Sequence, residues 1–159
     1  MNKVEILSAI VGEITAALKN ALAAADEARA TATDKENVAE NRHDTLGLEA
    51  AYLAHGQSER VQQLKEDLDL FISLQDHIGD DDIIEVGSLV QLESGSGETR
   101  LLFIGPASGG LVVNYESVAV TVITPDAPLG QALFGARVGD EVTLDTKSGP
   151  AGGFISDLW

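Results

Sequence analysis

The chain has 159 residues, a length that fits one ordinary domain or two small units. Its 26 aspartates and glutamates outnumber its 10 lysines and arginines, so the formal net charge is -16. A surface of that sign repels the phosphates of nucleic acids, and we do not expect free nucleic acid to be the primary ligand. The chain has no cysteine, which excludes disulfide frameworks, thiolate catalysis and cysteine-based zinc sites.

The apolar residues are spread along the chain, and no uninterrupted apolar run reaches the roughly 18 residues of a membrane span. At the N-terminus, Glu5 stands where a secretory signal would begin its apolar stretch. We therefore expect a soluble, cytoplasmic protein that does not enter a membrane.

Glycine usage divides the chain into two parts. Only Gly12, Gly47 and Gly56 precede position 78, and the other 13 of the 16 glycines follow it. A glycine and three aspartates at residues 79–82 mark the change. We predict an N-terminal domain of residues 1–77 and a C-terminal domain of residues 78–159.

Two stretches of the first domain repeat apolar residues at spacings of three and four, which is typical of coiled-coil helices. The first seam consists of Val4, Leu7, Val11, Ile14, Leu18, Ala21, Ala25, Ala28 and Ala32. The second seam consists of Leu46, Ala50, Leu53, Gln57, Val61, Leu64, Leu68 and Phe71. In both seams the small residues lie toward residues 33–45, so pairing like ends predicts an antiparallel hairpin with its tip there. Each arm is then about 45 Å long.

The second domain changes to short runs rich in valine, isoleucine, leucine and threonine, which predict strands. These runs are residues 83–92, 99–104, 118–124, 141–144 and 153–158. Residues 94–97, Ser-Gly-Ser-Gly, predict the connection of a hairpin. Residues 128–134 predict one short helix beginning at Pro128, with a turn after it at Gly135 or Gly139. The predicted fold class is α+β, a helical hairpin followed by a small sheet with one helix.

Neither domain carries the residue pattern of an enzyme. His43, His55 and His77 are far apart and lack the spacing of metal ligands. No nucleophile elbow, Walker loop or dinucleotide fingerprint occurs, and we interpret residues 108–110, Ser-Gly-Gly, as a turn. We therefore do not expect the chain to catalyse a reaction by itself.

The predicted hairpin tip is unusually acidic, with Asp34, Glu36, Glu40 and Asp44 close together in sequence. Carboxylates held at the end of a long rod can deliver oxygen ligands to a hard cation such as Mg²⁺ inside a partner's cleft. Acidic residues and asparagine also favour the first turn of a helix, where they cap free N–H groups. These two interpretations of the tip remain open on chemistry alone.

Residues 123–142, ITPDAPLGQALFGARVGDEV, resemble the signature of the GreA/GreB transcript-cleavage factors. In that family a proline-containing start and a short helix precede Leu-x-Gly and Gly-Asp-x-Val. The order of the two domains is also similar to the family's plan. The resemblance implies a long antiparallel α-helical coiled-coil hairpin followed by a small FKBP-like β domain, over essentially the whole chain.

The resemblance further implies a partner and a mechanism. Gre factors bind bacterial core RNA polymerase through the second domain and insert the coiled coil in its secondary channel. Acidic tip residues there help to hold a Mg²⁺ supplied with the polymerase, which then cleaves backtracked RNA. The factor is thus expected to be a monomeric regulator that contacts nascent RNA only indirectly. The residues implied in polymerase binding are Pro125, Pro128, Leu129, Gly130, Leu133, Gly135, Gly139 and Asp140.

The tip departs from the family pattern at one position. Residues 36–41, ENVAEN, match the family's GDLSEN best, which makes Glu40 the candidate Mg²⁺ ligand and retains Asn41. Asn37 stands where the family has its first acidic ligand, and an amide oxygen brings no charge to a cation. Asp34, Glu36 or Asp44 can replace it only if the turn is built differently. From the resemblance we expect a factor that stimulates cleavage of backtracked RNA through its acidic tip and Mg²⁺. The alternative is a non-cleaving competitor for the channel.

Two other classes of function are compatible with parts of the sequence. An FKBP-like domain suggests a prolyl isomerase, but such a pocket needs a ring of aromatic side chains, and the few aromatic residues here are scattered. A structural adaptor would pair its coiled coil with a partner helix. A hairpin whose two helices pair with each other predicts a monomer instead. Measuring the oligomeric state therefore distinguishes the adaptor from the closed hairpin.

Overall fold

The computed structural model describes residues 1–33, 46–75, 82–146 and 149–159. The helices in these ranges are α1 (Lys3–Thr33), α2 (Leu46–Leu74) and α3 (Pro128–Leu133). The strands are β1 (Leu89–Glu93), β2 (Thr99–Ile104), β3 (Val112–Tyr115), β4 (Val118–Ile123), β5 (Glu141–Thr146) and β6 (Gly149–Leu158). Two long helices, followed by a sheet that carries one short helix, confirm the predicted α+β class.

The chain forms two compact units. The helical unit is Glu13–Leu68, and the sheet unit joins Met1–Gly12 to Asp69–Trp159. The first turns of α1 and the last turns of α2 therefore belong with the sheet. The predicted boundary between residues 77 and 78 lies outside the described residues, and the division into those two domains stays a prediction.

In the helical unit, α1 and α2 pack together through small and aliphatic side chains. The buried residues are Ile14, Ala21, Ala25, Ala28, Ala54, Val61 and Leu64. Nη2 of Arg29, near the end of α1, donates a hydrogen bond of 3.1 Å to Oγ of Ser58, in the first half of α2. A cavity of about 310 Å³ lies beside this bond and is lined by Ala28 and Thr31 of α1 and by Leu53 and Gln57 of α2. The last turns of α1 thus lie against the first half of α2, as antiparallel helices require.

At two positions of the predicted seams, the prediction that the side chain is buried is wrong. Val4 is 59% exposed, while Ile6 and Ile10 are fully buried. Because residues 1–12 belong to the sheet unit, the core of that unit decides which side of α1 is buried there. Leu53 is 57% exposed and lines a cavity between the two helices, while the adjacent Ala54 is buried. The other seam residues whose side chains are described are buried or half-buried.

Helix α1 is also long and apolar enough to cross a membrane, judged by length and composition alone. A window within Lys3–Thr31 has a mean hydropathy of 1.4. No such stretch was expected from the sequence, because the apolar residues of α1 are interrupted by polar ones. The core helix of a soluble protein and a signal sequence near an N-terminus pass the same test, and 28% of the window is buried within the protein. The absence of a membrane span stays a prediction.

The six strands form one mixed sheet in the order β3-β4-β2-β1-β6-β5. Neighbouring strands are antiparallel except for β2 and β4, which are parallel. The predicted strands at 99–104, 118–124, 141–144 and 153–158 are confirmed, although β6 begins earlier, at Gly149. The predicted connection at 94–97 is confirmed as a turn, in which Gly97 N donates to Ser94 O at 2.9 Å.

Two strand predictions differ from the structure. Strand β3 was not predicted, because its four residues directly follow the Ser108–Gly110 turn and are too few to show a periodicity. Strand β1 begins at Leu89 and not at Ile83. The residues before it form a turn in which Gly87 has a φ of 101° and Glu85 N donates to Ser88 Oγ. Hydrophobicity alone does not distinguish such a buried turn from a strand.

Both faces of the sheet are covered within the sheet unit. One face forms a core with α3, and its buried members are Ile84, Val90, Leu92, Leu102, Ile104, Leu133, Val142 and Ile155. Phe103 lies on the opposite face, since side chains alternate along a strand. There its ring packs against Phe71 of α2, with centroids 6.4 Å apart. Gly105 leaves room for this contact, because a Cβ there would lie 2.9 Å from Cζ of Phe71.

Candidate functional site

The predicted acidic tip lies outside the part of the chain that the structure describes. All six predicted tip residues, Asp34, Glu36, Asn37, Glu40, Asn41 and Asp44, lie outside the described residues. Within the described ranges, no group of three or more histidines and carboxylates is positioned to hold a metal ion. The role of Glu40 as a Mg²⁺ ligand therefore stays a prediction. The candidate site that the structure does describe is the segment around α3.

Helix α3 is short and begins without a side-chain cap. Ala127 has an extended backbone, and Pro128 follows at the first helical turn, where its missing N–H leaves no bond unmade. The helix ends at Phe134, whose N–H donates to Gly130 O at 2.9 Å. Gly135 follows with a φ of 81°, a conformation that stops the helix and favours glycine. The predicted helix and the turns at Gly135 and Gly139 are confirmed.

Two of the predicted polymerase-binding residues lie inside the sheet unit. Leu133 is fully buried in the core under α3. Gly130 is also buried, and a Cβ there would collide with the carbonyl oxygen of Thr124. These two residues hold α3 against the sheet. The other six, Pro125, Pro128, Leu129, Gly135, Gly139 and Asp140, are half-buried or exposed.

Residues 134–140, which we call the α3 loop, are fixed by hydrogen bonds at almost every backbone N–H. Gly135 N donates to Ile84 O and Gly139 N donates to Ile155 O, both at 2.8 Å, so the loop is attached to the core at two places. Between these points, Arg137 N donates to Asp140 Oδ2 at 2.8 Å. Ala136 N donates to Leu133 O, and Asp140 N donates to Arg137 O. The loop is therefore held in one conformation.

The α3 loop exposes two large apolar side chains that the sequence analysis did not identify. Phe134 is 50% exposed and Val138 is 54% exposed. Val138 also lines a cleft of about 350 Å³ together with Asp82, Arg137 and Leu158. A sequence signal was available, since two bulky apolar residues four positions apart are unusual in a segment of turns.

The surface around the loop is acidic. Residues 82–159 contain ten aspartates and glutamates and three basic residues. Asp82, Asp126, Asp140 and Glu141 are all exposed, and Arg137 is the cation among them. An apolar centre with an acidic surround is suited to a protein partner that presents apolar side chains next to basic ones.

A second polar feature of the sheet unit joins the start of α1 to β3. The hydroxyl of Tyr115 donates to Glu5 Oε2 at 2.7 Å. Asn2 Nδ2 donates to Glu5 Oε1, also at 2.7 Å. The hydrogen bond to Glu5, with smaller contributions from desolvation and from the charges of Glu116 and Glu5, raises the pKa of Tyr115 to about 12. This network ties the first turn of α1 to β3.

The fold and the α3 loop define a two-unit protein whose described surface is suited to binding another macromolecule. Comparison with known proteins gives the same class. Residues 79–154 match the family model described as the C-terminal part of the transcription elongation factor GreA/GreB.

Two bacterial relatives agree with this match. The chain is 34% identical over 110 residues to the transcription inhibitor protein Gfh1 of Thermus aquaticus, a match that covers 67% of this chain and 66% of that protein. It is 28% identical over 125 residues to the transcription elongation factor GreA of Syntrophus aciditrophicus, which covers 77% of this chain and 71% of that protein. A crystal structure of Gfh1 from Thermus thermophilus aligns with 98% of this chain and 94% of its own, at 21% identity and a TM-score of 0.38.

The chain belongs to the GreA/GreB family of transcription elongation factors, which confirms the resemblance seen in residues 123–142. The matched region spans 66% of the length of the Gfh1 relatives. Activity, partner and site residues are therefore taken up as proposals.

Proposed function

We propose that this factor binds bacterial core RNA polymerase through its sheet unit and inserts the helical hairpin in the secondary channel without stimulating RNA cleavage. The observation that carries this proposal is the similarity, at 33% to 34% identity, to proteins named transcription inhibitor Gfh1. In this proposal the chain is a cytoplasmic, monomeric regulator and not an enzyme. The Mg²⁺ belongs to the polymerase, and contact with nascent RNA is indirect.

The composition of the tip supports an inhibitor over an activator. Hydrolysis of a phosphodiester by two metal ions needs a second cation to activate water, and charged oxygen ligands hold such a cation. Asn37 occupies the position of the first acidic ligand and supplies only a neutral amide oxygen. A factor with this tip can occupy the channel, but it binds the second Mg²⁺ more weakly.

Stimulation of cleavage is the second candidate function. It is favoured by Glu40 and Asn41, which are retained at the tip, and by similarity to a protein named transcription elongation factor GreA. Both candidates share the partner and the channel, so they differ only in what the tip does there.

A cleavage assay on a stalled, backtracked elongation complex separates the two candidates. It compares the wild type with Asn37→Asp, which restores an acidic side chain at the first ligand position. It also includes Glu40→Ala, which removes the carboxylate of the candidate Mg²⁺ ligand. An inhibitor predicts that the wild type leaves the RNA uncut and slows nucleotide addition, and that Asn37→Asp gains cleavage. Cleavage by the wild type that is lost in Glu40→Ala would establish the activator instead.

Binding to the polymerase is tested separately. We expect the wild type to co-purify with core RNA polymerase, and we expect deletion of residues 20–60 to weaken that binding. A wild-type protein that fails to bind core polymerase would remove both candidates.

A further inference from the structure

We propose that Phe134 and Val138 of the α3 loop are the anchor with which the sheet unit docks on RNA polymerase. Their counterpart is a patch of apolar side chains flanked by lysine or arginine. This inference rests on the proposed function, because it names the contact and its chemistry within the binding already proposed.

The first argument is the exposure of these two side chains. Large apolar side chains bury most of their surface in a stable fold, and grouped exposure of this kind marks interaction sites. Phe134 and Val138 are half exposed, four residues apart, in a loop that lies directly on the core. Aromatic residues in such positions supply a large share of binding energy when a partner covers them.

The second argument is that the loop is rigid. Binding by a flexible loop costs free energy, because its side chains and backbone must be ordered on association. Here the two attachments of the loop, Gly135 to Ile84 and Gly139 to Ile155, fix the backbone on both sides of Val138. Phe134 is fixed by its own N–H, which donates to Gly130 O. Most of the conformational entropy of the loop is therefore lost on folding and does not have to be lost again on binding.

The third argument concerns what the partner must look like. Beside Val138, the cleft of about 350 Å³ presents Asp82 and Arg137 to solvent together with Leu158. The carboxylate of Asp140, whose Oδ2 accepts from Arg137 N at 2.8 Å, adds negative charge beside it. An apolar side chain that enters this cleft is best followed by a lysine or an arginine, which the surrounding carboxylates attract.

The same geometry separates docking residues from supporting ones. Leu133 and Gly130, which the family resemblance includes among the polymerase-binding residues, are buried and cannot touch a partner while the unit is folded. Any loss of binding on changing them would arise from an altered fold. Phe134 and Val138 can be changed at the surface with the fold intact.

The test measures the dissociation constant of the full chain for core RNA polymerase. It compares the wild type with Phe134→Ser and Val138→Ser. Val112→Ser serves as the matched control, because Val112 is 50% exposed on β3, at the edge of the same sheet opposite to β5. We expect each loop variant to bind about 10-fold or more weakly and the control to change by less than about 2-fold. Thermal unfolding of each variant verifies that the fold is retained.

The charge of the partner is tested with a second pair of variants. Asp82→Lys reverses a carboxylate in the cleft, and Glu98→Lys makes the same change at the exposed turn between β1 and β2. Binding should weaken in the first and change little in the second, and the difference should shrink as salt is added. An equal effect of both variants would contradict a basic patch at this site.

The outcomes distinguish this inference from the function on which it rests. If the wild type does not bind core polymerase, the proposed function fails and this inference fails with it. If the wild type binds and both loop variants bind equally well, only the anchor is overturned. If the wild type self-associates and Phe134→Ser abolishes this, the loop is a contact between copies, and the anchor is again overturned.

Discussion

The hydroxyl of Tyr115, at the end of β3, donates a hydrogen bond of 2.7 Å to the carboxylate of Glu5 in the first turn of α1. The two residues are 110 positions apart in sequence, so this bond ties the start of the chain to a strand of the sheet unit. The phenolate could not donate this bond, so the hydrogen bond to Glu5 is the main reason why the pKa of Tyr115 is raised to about 12. Desolvation and the charges of Glu116 and Glu5 add smaller contributions.

We expect the ionisation of Tyr115 to report this bond directly. The pKa of a free tyrosine is about 10. Because the pKa is raised in the folded state, the bond contributes to stability below about pH 10. That contribution is lost as the pH rises through about 12. In a Tyr52→Phe background, phenolate absorbance should titrate near pH 12. Adding Glu5→Gln should lower that midpoint, and an unchanged midpoint would show that Glu5 is not the cause.

The contact between Phe71 and Phe103 is expected to be a major source of stability in the sheet unit. Phe71 is fully buried, and truncation of such a side chain to alanine costs about 3–5 kcal/mol. The adjacent Ile72 is 46% exposed and gives a control on the same turn of α2. Urea unfolding of Phe71→Ala and Ile72→Ala measures both. Equal losses would contradict the packing of α2 on the sheet described above.

Gly130→Ala should destabilise the sheet unit although it adds only one methyl group. The new Cβ would collide with the carbonyl oxygen of Thr124, which is backbone and cannot rotate away. We expect a loss of about 3 kcal/mol, at the upper end for overpacking a core. Gly95→Ala is the control, because nothing lies within 4 Å of a Cβ at that position. Differential scanning calorimetry of both variants is the measurement, and similar melting temperatures would refute the close approach.

In the helical unit, an alanine on the seam should resist enlargement. Ala25 is 3% exposed between the helices, and replacing it with leucine should cost about 1–3 kcal/mol by pushing them apart. Ala23→Leu, on the exposed side of the same helix, should leave stability almost unchanged. Circular dichroism during thermal unfolding gives the comparison. A stabilised Ala25→Leu would mean that the helices have room to spare at this position.

Structural features that depend only on residues near each other in sequence could be predicted, and features that depend on distant residues could not. The two long helices and most strands were predictable, since their periodicities repeat within one element. Val4 was assigned to the seam because the heptad pattern does not show that the sheet unit buries Ile6 and Ile10 instead. Strand β3 exists because β4 pairs with it, and a four-residue run carries no such information.

The candidate site shows the same limit. The segment 123–142 was recognisable from its glycines and prolines, which determine the turns around α3. Which of its residues reach the surface depends on how α3 packs, and this places Leu133 inside and Phe134 outside. The expected roles of Asn37 and Glu40 rest on sequence similarity, and they stay predictions.

The assignment of residues 1–12 and 69–75 to the sheet unit affects how the protein can be cut and recombined. A fragment starting at residue 78 would lack Phe71 and leave the ring of Phe103 open to water, which favours aggregation. In a chimaera that receives a relative's hairpin, the sheet unit stays complete only if the exchanged segment is confined to Glu13–Leu68. The helical unit can be exchanged in this way, provided that residues 1–12 and 69–75 stay with the sheet unit.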